Sequence, residues 1–120
     1  MMKKITPLVN FQRIETFWDP KVVAEFNGQE MRLARLKGEF IWHSHKDEDE
    51  VFIVIQGELE IEFRDQTVAL SGGDVLVIPR GVEHRPIARK EVKVMLIEPA
   101  STINTGEITS HLTKKTLDKI

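Results

Sequence analysis

The stretch GEFIWHSHKDEDEVFIVIQG, Gly38 to Gly57, joins two histidines, a run of acids and an apolar segment in twenty positions. On an extended chain the side chains repeat every second residue, so His43 and His45 project to the same face. Two imidazoles side by side repel when protonated and need a shared partner, for which a divalent cation is the usual choice. By itself the pair fits two hydrogen-bonded structural histidines as well as it fits a metal site. The acids that follow sharpen the reading. Glu50 adjoins the apolar strand Val51 to Ile55, so the pleat fixes its direction, whereas Asp47 and Glu48 fall in a loop. Phe52 and Val54 are in phase with Glu50, and Ile41 with the histidines. All three are candidates to line a pocket.

Outward from this stretch the text is β. Val22 to Phe26 runs into Asn27-Gly28, the strongest short hairpin signal, and a strand carrying Met31, Leu33 and Arg35 follows. Glu58 to Arg64 alternates apolar odd with charged even positions, a half-buried strand. Asp65-Gln66 turns it into Thr67 to Leu70, and Ser71 to Asp74 turns again. Val75 to Ile78 reads as a short buried strand closed by Pro79-Arg80-Gly81. His84 follows that turn, where a neighbouring strand could deliver it to the two earlier histidines. Val92 to Ile97 is a further strand, ended by Glu98-Pro99. Short strands punctuated by Gly and Pro predict an all-β sandwich or barrel.

The chain divides into a leader (1–20), a barrel (21–110) and a tail (111–120). Ile14, Phe17 and Trp18 in the leader are expected to pack their apolar surface on the barrel. The lysine-rich tail, with a short helix conceivable over 112–120, is expected to be a solvated terminus, with His111 exposed.

Composition narrows the chemistry. With 120 residues, one domain with one core is expected. Seventeen basic residues against nineteen acidic leave a net charge of −2, which argues for neither nucleic acid nor an anionic membrane surface as a partner. With no cysteine and no tyrosine, thiolate ligands, cysteine nucleophiles and tyrosine proton donors are excluded. Met1 to Phe11 lacks the apolar run of a secretory signal, and nothing approaches a membrane span, so a soluble cytoplasmic protein is expected.

The sequence resembles the cupin superfamily, and two motifs carry the resemblance. The first is usually Gly, five residues, His-x-His, three or four residues, Glu, six residues, Gly. Here it reads Gly38, four residues, His43-Ser44-His45, four residues, Glu50, six residues, Gly57. The second is usually Gly, five residues, Pro-x-Gly, two residues, His, three residues, Asn. Here it reads Gly73, five residues, Pro79-Arg80-Gly81, two residues, His84, three residues, Ala88. The shortened bend after Gly38 and Ala88 in place of Asn are departures outside the ligand positions.

The resemblance implies a double-stranded β-helix, a jelly-roll-type barrel, with one divalent ion on His43, His45, Glu50 and His84. Three imidazoles and a carboxylate suit Fe, Mn, Ni, Co, Zn or Cu and leave an octahedral ion two open positions, for Lewis-acid or dioxygen chemistry. Members include dioxygenases, decarboxylases, isomerases and proteins that only bind a ligand. Small single-domain members are often labelled mannose-6-phosphate isomerase-like. The expected function is therefore an oxygenase or isomerase acting on a small organic molecule, with a metal-bearing binding or sensing module as the alternative. Arg35 is a candidate to meet an anionic substrate, although a solvated strand-edge arginine is the commoner arrangement. A homodimer is expected, with Phe11, Phe17 and Trp18 offering apolar interface surface.

Overall fold

The Asn27-Gly28 signal is met by a tight hairpin joining β1 (Lys21–Phe26) to β2 (Gln29–Glu39). Phe26 pairs with Gln29, and Asn27 and Gly28 take positive φ of 49° and 77°, the handedness a two-residue turn needs to match strand twist. The structure, a computed structural model, describes residues 2–120. Five further strands follow: β3 (Glu50–Gln56), β4 (Glu58–Phe63), β5 (Thr67–Ser71), β6 (Val75–Ile78) and β7 (His84–Pro99). All strand pairings are antiparallel. The architecture is an all-β, jelly-roll-type fold, as the sequence predicts.

β7 organises the sheet. One of its edges pairs along almost the whole of β2, from Gln29↔Pro99 to Glu39↔Ile87. Its other edge pairs first with β4, over His84 to Ile87, and then with β3, over Lys93 to Ile97. The register shifts between Leu36 and Gly38 mark the bend at which this long strand passes from one neighbour to the next. Only Val92 to Ile97 was expected as strand. The preceding half, His84 to Glu91, is punctuated by Pro86 and charged residues and lacks apolar alternation.

Two apolar clusters form. The inner one fills the barrel with Ala34, Leu36, Phe52, Val54, Leu59, Ile61, Val92, Val94 and Leu96 among others. The outer one places Phe11 and Ile14 of the leader against Val23, Leu33 and Met95. β2 is therefore buried on both faces at its centre, which erases the clean alternation a half-exposed strand shows. The leader packs on the barrel as expected, through α1 (Pro7–Asn10) and a 3-10 turn at Phe11–Arg13.

Three expectations are corrected. Val75 and Val77 are more than half exposed, because β6 pairs only with β3 and its outer face has no cover. The tail contains no helix, and its end is not free: Val22 N–H donates to Asp118 and Ile120 N–H donates to Val22, both at 2.9 Å. His111 is exposed. Phe11 is 2% exposed within its own chain and so offers no interface surface, whereas Phe17 remains exposed with the Arg35 guanidinium over its ring. Among the described residues no helix is long and apolar enough to cross a membrane.

Candidate metal centre

The two histidine-bearing segments are zipped together through their backbones. His43 N–H donates to the His84 carbonyl at 3.0 Å, and His84 N–H donates back to His43 at 2.9 Å. This isolated bridge sets the two rings 4.3 Å apart. Gly81 N–H then donates to the His45 carbonyl at 2.8 Å, fixing the Pro79-Arg80-Gly81 turn against the His pair. Residues 40–49 are otherwise irregular, so the shared direction of His43 and His45 comes from this bridge rather than from a continuous strand.

Glu50 opens β3, where it pairs with Ile78 and points inward with Phe52 and Val54. The neighbouring Asp49 points outward and accepts hydrogen bonds from the Arg80 backbone at 2.8 Å and its guanidinium at 3.3 Å. Two adjacent acids thus divide the work. Asp49 ties the two loops together, and Glu50 enters the interior.

His43, His45, Glu50 and His84 are all buried, and one ligand atom from each lies within 4.8 Å of the others. His84 Nε2 is 3.3 Å and His45 Nε2 3.7 Å from Glu50 Oε1. Around an ion with bonds of about 2.1 Å, ligand atoms at right angles sit about 3.0 Å apart and opposite ones about 4.2 Å, so the group needs only a slight contraction. His45 Nε2, His84 Nε2 and Glu50 Oε1 are buried without any hydrogen-bond partner, a costly state that a cation would relieve. The second ring nitrogens of two ligands are committed: Nδ1 of His43 to the Ile41 carbonyl and Nδ1 of His84 to the Val82 carbonyl, both at 2.9 Å. Such bonds fix the tautomer that leaves Nε2 free to ligate.

Electrostatics agree. Burial, with help from His84, holds the His43 imidazole down to about 3. His45 and His84 are also lowered, burial again being the main cause. All three rings are therefore neutral and able to donate lone pairs. Burial pushes the Glu50 carboxyl up, opposed by the Glu98 side chain and the charge of Arg32.

The residues around the ligands were not legible as site residues. Arg32 and Glu98 form a fully buried pair, Nη1 to Oε1 at 2.7 Å, and Arg32 also holds Glu30 at 2.8 Å. Burial and then the charge of Glu50 raise the Glu98 carboxyl well above the ordinary range. The signal that could have found them is phase: Arg32 shares its face of β2 with Ala34 and Leu36, and Glu98 that of Leu96 on β7. Gly106 packs behind His45 with φ +63°, and a Cβ there would collide with the Ser44 carbonyl.

A small cavity of about 40 Å³ opens on His43 and Glu50. Phe52 lines it together with Trp18, Leu36, Phe40 and Leu96. Val54 lies instead in the closed apolar core. Ile41 contributes its carbonyl to His43 rather than its side chain to the cavity, because the irregular backbone puts Phe40 on the lining. Arg35 is on the outer face, where it grips Glu91 at 2.9 Å and donates to the Ile14 carbonyl at 2.7 Å.

Comparison with known proteins shows the family and the fold. The family model described as Cupin domain matches residues 29–98, more than half of the chain. A cupin-2 domain containing protein from Shewanella frigidimarina has a solved structure with 48% identity and a TM-score of 0.78, covering 79% of this chain and 93% of that one. Protein NMB1881 from Neisseria meningitidis matches at 26% identity and TM-score 0.75, over 82% of this chain and all of its own. The uncharacterized protein YdbB of Bacillus subtilis is 48% identical over 64 residues, which are 52% of this chain and 57% of that relative's length.

Proposed function

The chain belongs to the cupin family, and from that premise we propose that it is a mononuclear metal-dependent enzyme of the oxygenase or isomerase type acting on a small organic molecule. The observation that carries this reading is the pairing of buried, partnerless ligand atoms with a cavity that reaches two of the four ligand residues. A site that serves only to close a fold is normally saturated by protein ligands. When bound, a divalent ion at these residues would supply Lewis-acid polarisation or a seat for dioxygen. The chain's own contribution is to hold three neutral imidazoles and one carboxylate in place and to exclude bulk water with Trp18, Phe40 and Phe52.

Elemental analysis of protein purified without added metal should find about one divalent ion per chain. His84→Ala should lower metal affinity by at least about a hundred-fold while the barrel stays folded. Oxygen-uptake and isomerisation assays over a panel of small carbonyl compounds then test turnover. Unchanged metal content in His84→Ala would defeat the assignment.

A further inference from the structure

We infer that Glu48 is a positioning residue of the candidate metal centre: its carboxylate accepts a hydrogen bond from Nδ1–H of His45 and so holds that ring with Nε2 turned to the ion. This rests on the metal reading above and adds to it a residue outside the four ligand positions. The three imidazoles differ in one respect. Nδ1 of His43 and Nδ1 of His84 each have a backbone carbonyl at 2.9 Å. Nδ1 of His45 has no partner, although the residue is only 3% exposed. The His45 nitrogen that faces Glu50 is Nε2, 3.7 Å from Oε1. When Nε2 gives its lone pair to a cation, the neutral ring carries its proton on Nδ1. A buried N–H without an acceptor is costly, so the ring needs a partner on that side.

The surroundings select the partner. His43, Glu50 and Glu98 line the central cavity, whereas His45 lines a separate hollow of about 180 Å³ together with Asp47, Glu48, Ser101, Gly106 and Glu107. Nδ1 is turned toward this hollow, since a Cβ on Gly106 would stand 3.7 Å from it. Glycine at 106 therefore leaves the approach to Nδ1 open. Three carboxylates border the hollow, but Asp47 and Glu107 are exposed and Glu48 is half-buried. The chain bends at Lys46 and Asp47, and Asp49 is pinned outward to the Arg80 backbone at 2.8 Å. Glu48 lies between these two fixed points, and its charge is felt at the His45 ring. Its carboxylate accepts one long bond, from the Ser101 hydroxyl at 3.4 Å, which a turn of the side chain exchanges for a charge-assisted bond from Nδ1–H. Glu98 does not compete, because it is held by Arg32 at 2.7 Å and faces the central cavity. A carboxylate behind a ligating imidazole fixes its tautomer and raises its basicity, which is the service the backbone carbonyls perform for the other two rings.

The test titrates cobalt(II) into the full chain, following its visible absorption against a competing chelator, and records NMR spectra of zinc-loaded protein with isotope-labelled histidine. Glu48→Ala should weaken cobalt binding at least about ten-fold. Glu48→Gln, which keeps an acceptor oxygen on the same stem, should stay within about three-fold of the parent. Asp47→Ala and Glu107→Ala, which remove the same charge from the same hollow, should also stay within about three-fold. In the zinc-loaded parent the Nδ1 proton of His45 should appear as a deshielded, slowly exchanging signal that Glu48→Ala abolishes and Asp47→Ala preserves. Parent-like cobalt affinity in Glu48→Ala, or zinc on Nδ1 of His45 with the proton on Nε2, overturns the inference and leaves the metal site standing. Equal losses in all three alanine variants would assign the effect to net charge and overturn it as well. A parent chain that takes up no metal overturns both readings.

Discussion

Arg32 and Arg35 stand three residues apart on β2, and each holds a glutamate of β7, yet they do opposite work. Arg32 faces the barrel interior, 1% exposed, and compensates Glu98 beside Glu50 of the candidate metal centre. Arg35 faces the leader, pairs with Glu91 near water, and pins the Ile14 carbonyl and the Phe17 ring to the sheet. A strand covered on both faces can hide one charge and display another. Position along the sequence says little about which is which; the contents of the two faces decide it. The inner face carries the candidate metal centre together with buried charge, while the outer face seats the leader.

The largest difference between the two should appear on deletion. Arg32→Ala leaves Glu98 as an unpaired buried carboxyl and should cost about 3–5 kcal/mol of stability, read as a fall in the denaturant midpoint. The double change Arg32→Met/Glu98→Met should recover most of that loss, since the penalty lies in the uncompensated charge. A double variant as unstable as the single one would mean that Arg32 acts through packing instead.

On the outer face the counterpart is carbon. Ile14→Ala should cost about 2–4 kcal/mol by opening a cavity over Leu33 and Met95. It should leave metal affinity unchanged, because that cluster does not touch the ligands. A matching loss of metal would show that the two faces are coupled through β2.

Acid separates the faces again, by a smaller amount. The folded-state His43 titrates at about 3 against an ordinary 6.5, so between those values the unfolded chain binds the extra proton. Its contribution to stability is complete above pH 6.5 and is lost as pH falls toward 3. The raised carboxyls of Glu50 and Glu98 act in the opposite sense, so the comparison is with His43→Gln. Metal-free parent protein should lose more in melting temperature between pH 7 and pH 5 than that variant does. Equal losses would place the burdened proton elsewhere. Smallest of all, Arg35→Ala should cost no more than about 1 kcal/mol, as expected for an ion pair near water.

The fold and the four residues of the candidate metal centre were legible because both are written locally. The Asn27-Gly28 turn, the alternation of Glu58 to Phe63 and the spacing from His43 to Glu50 and from Pro79 to His84 are short-range patterns. What escaped was set by distant packing. Arg32 and Glu98 meet across 66 positions, and Trp18 reaches the cavity only because the leader folds back over β2. Ile41 leaves the expected phase because period-two alternation does not survive the irregular backbone of 40–49, and Arg35 takes the commoner of its two readings, on the outer face of a strand with two buried faces.

The claim on which the rest stands is that one ion sits among His43, His45, Glu50 and His84. Anomalous diffraction from crystals of the metal-loaded protein, recorded at the metal's absorption edge, tests it most directly. A single strong peak is expected about 2.0–2.3 Å from an imidazole nitrogen of each histidine and an oxygen of Glu50. A peak centred on other residues, or none at this position in metal-saturated crystals, would contradict it.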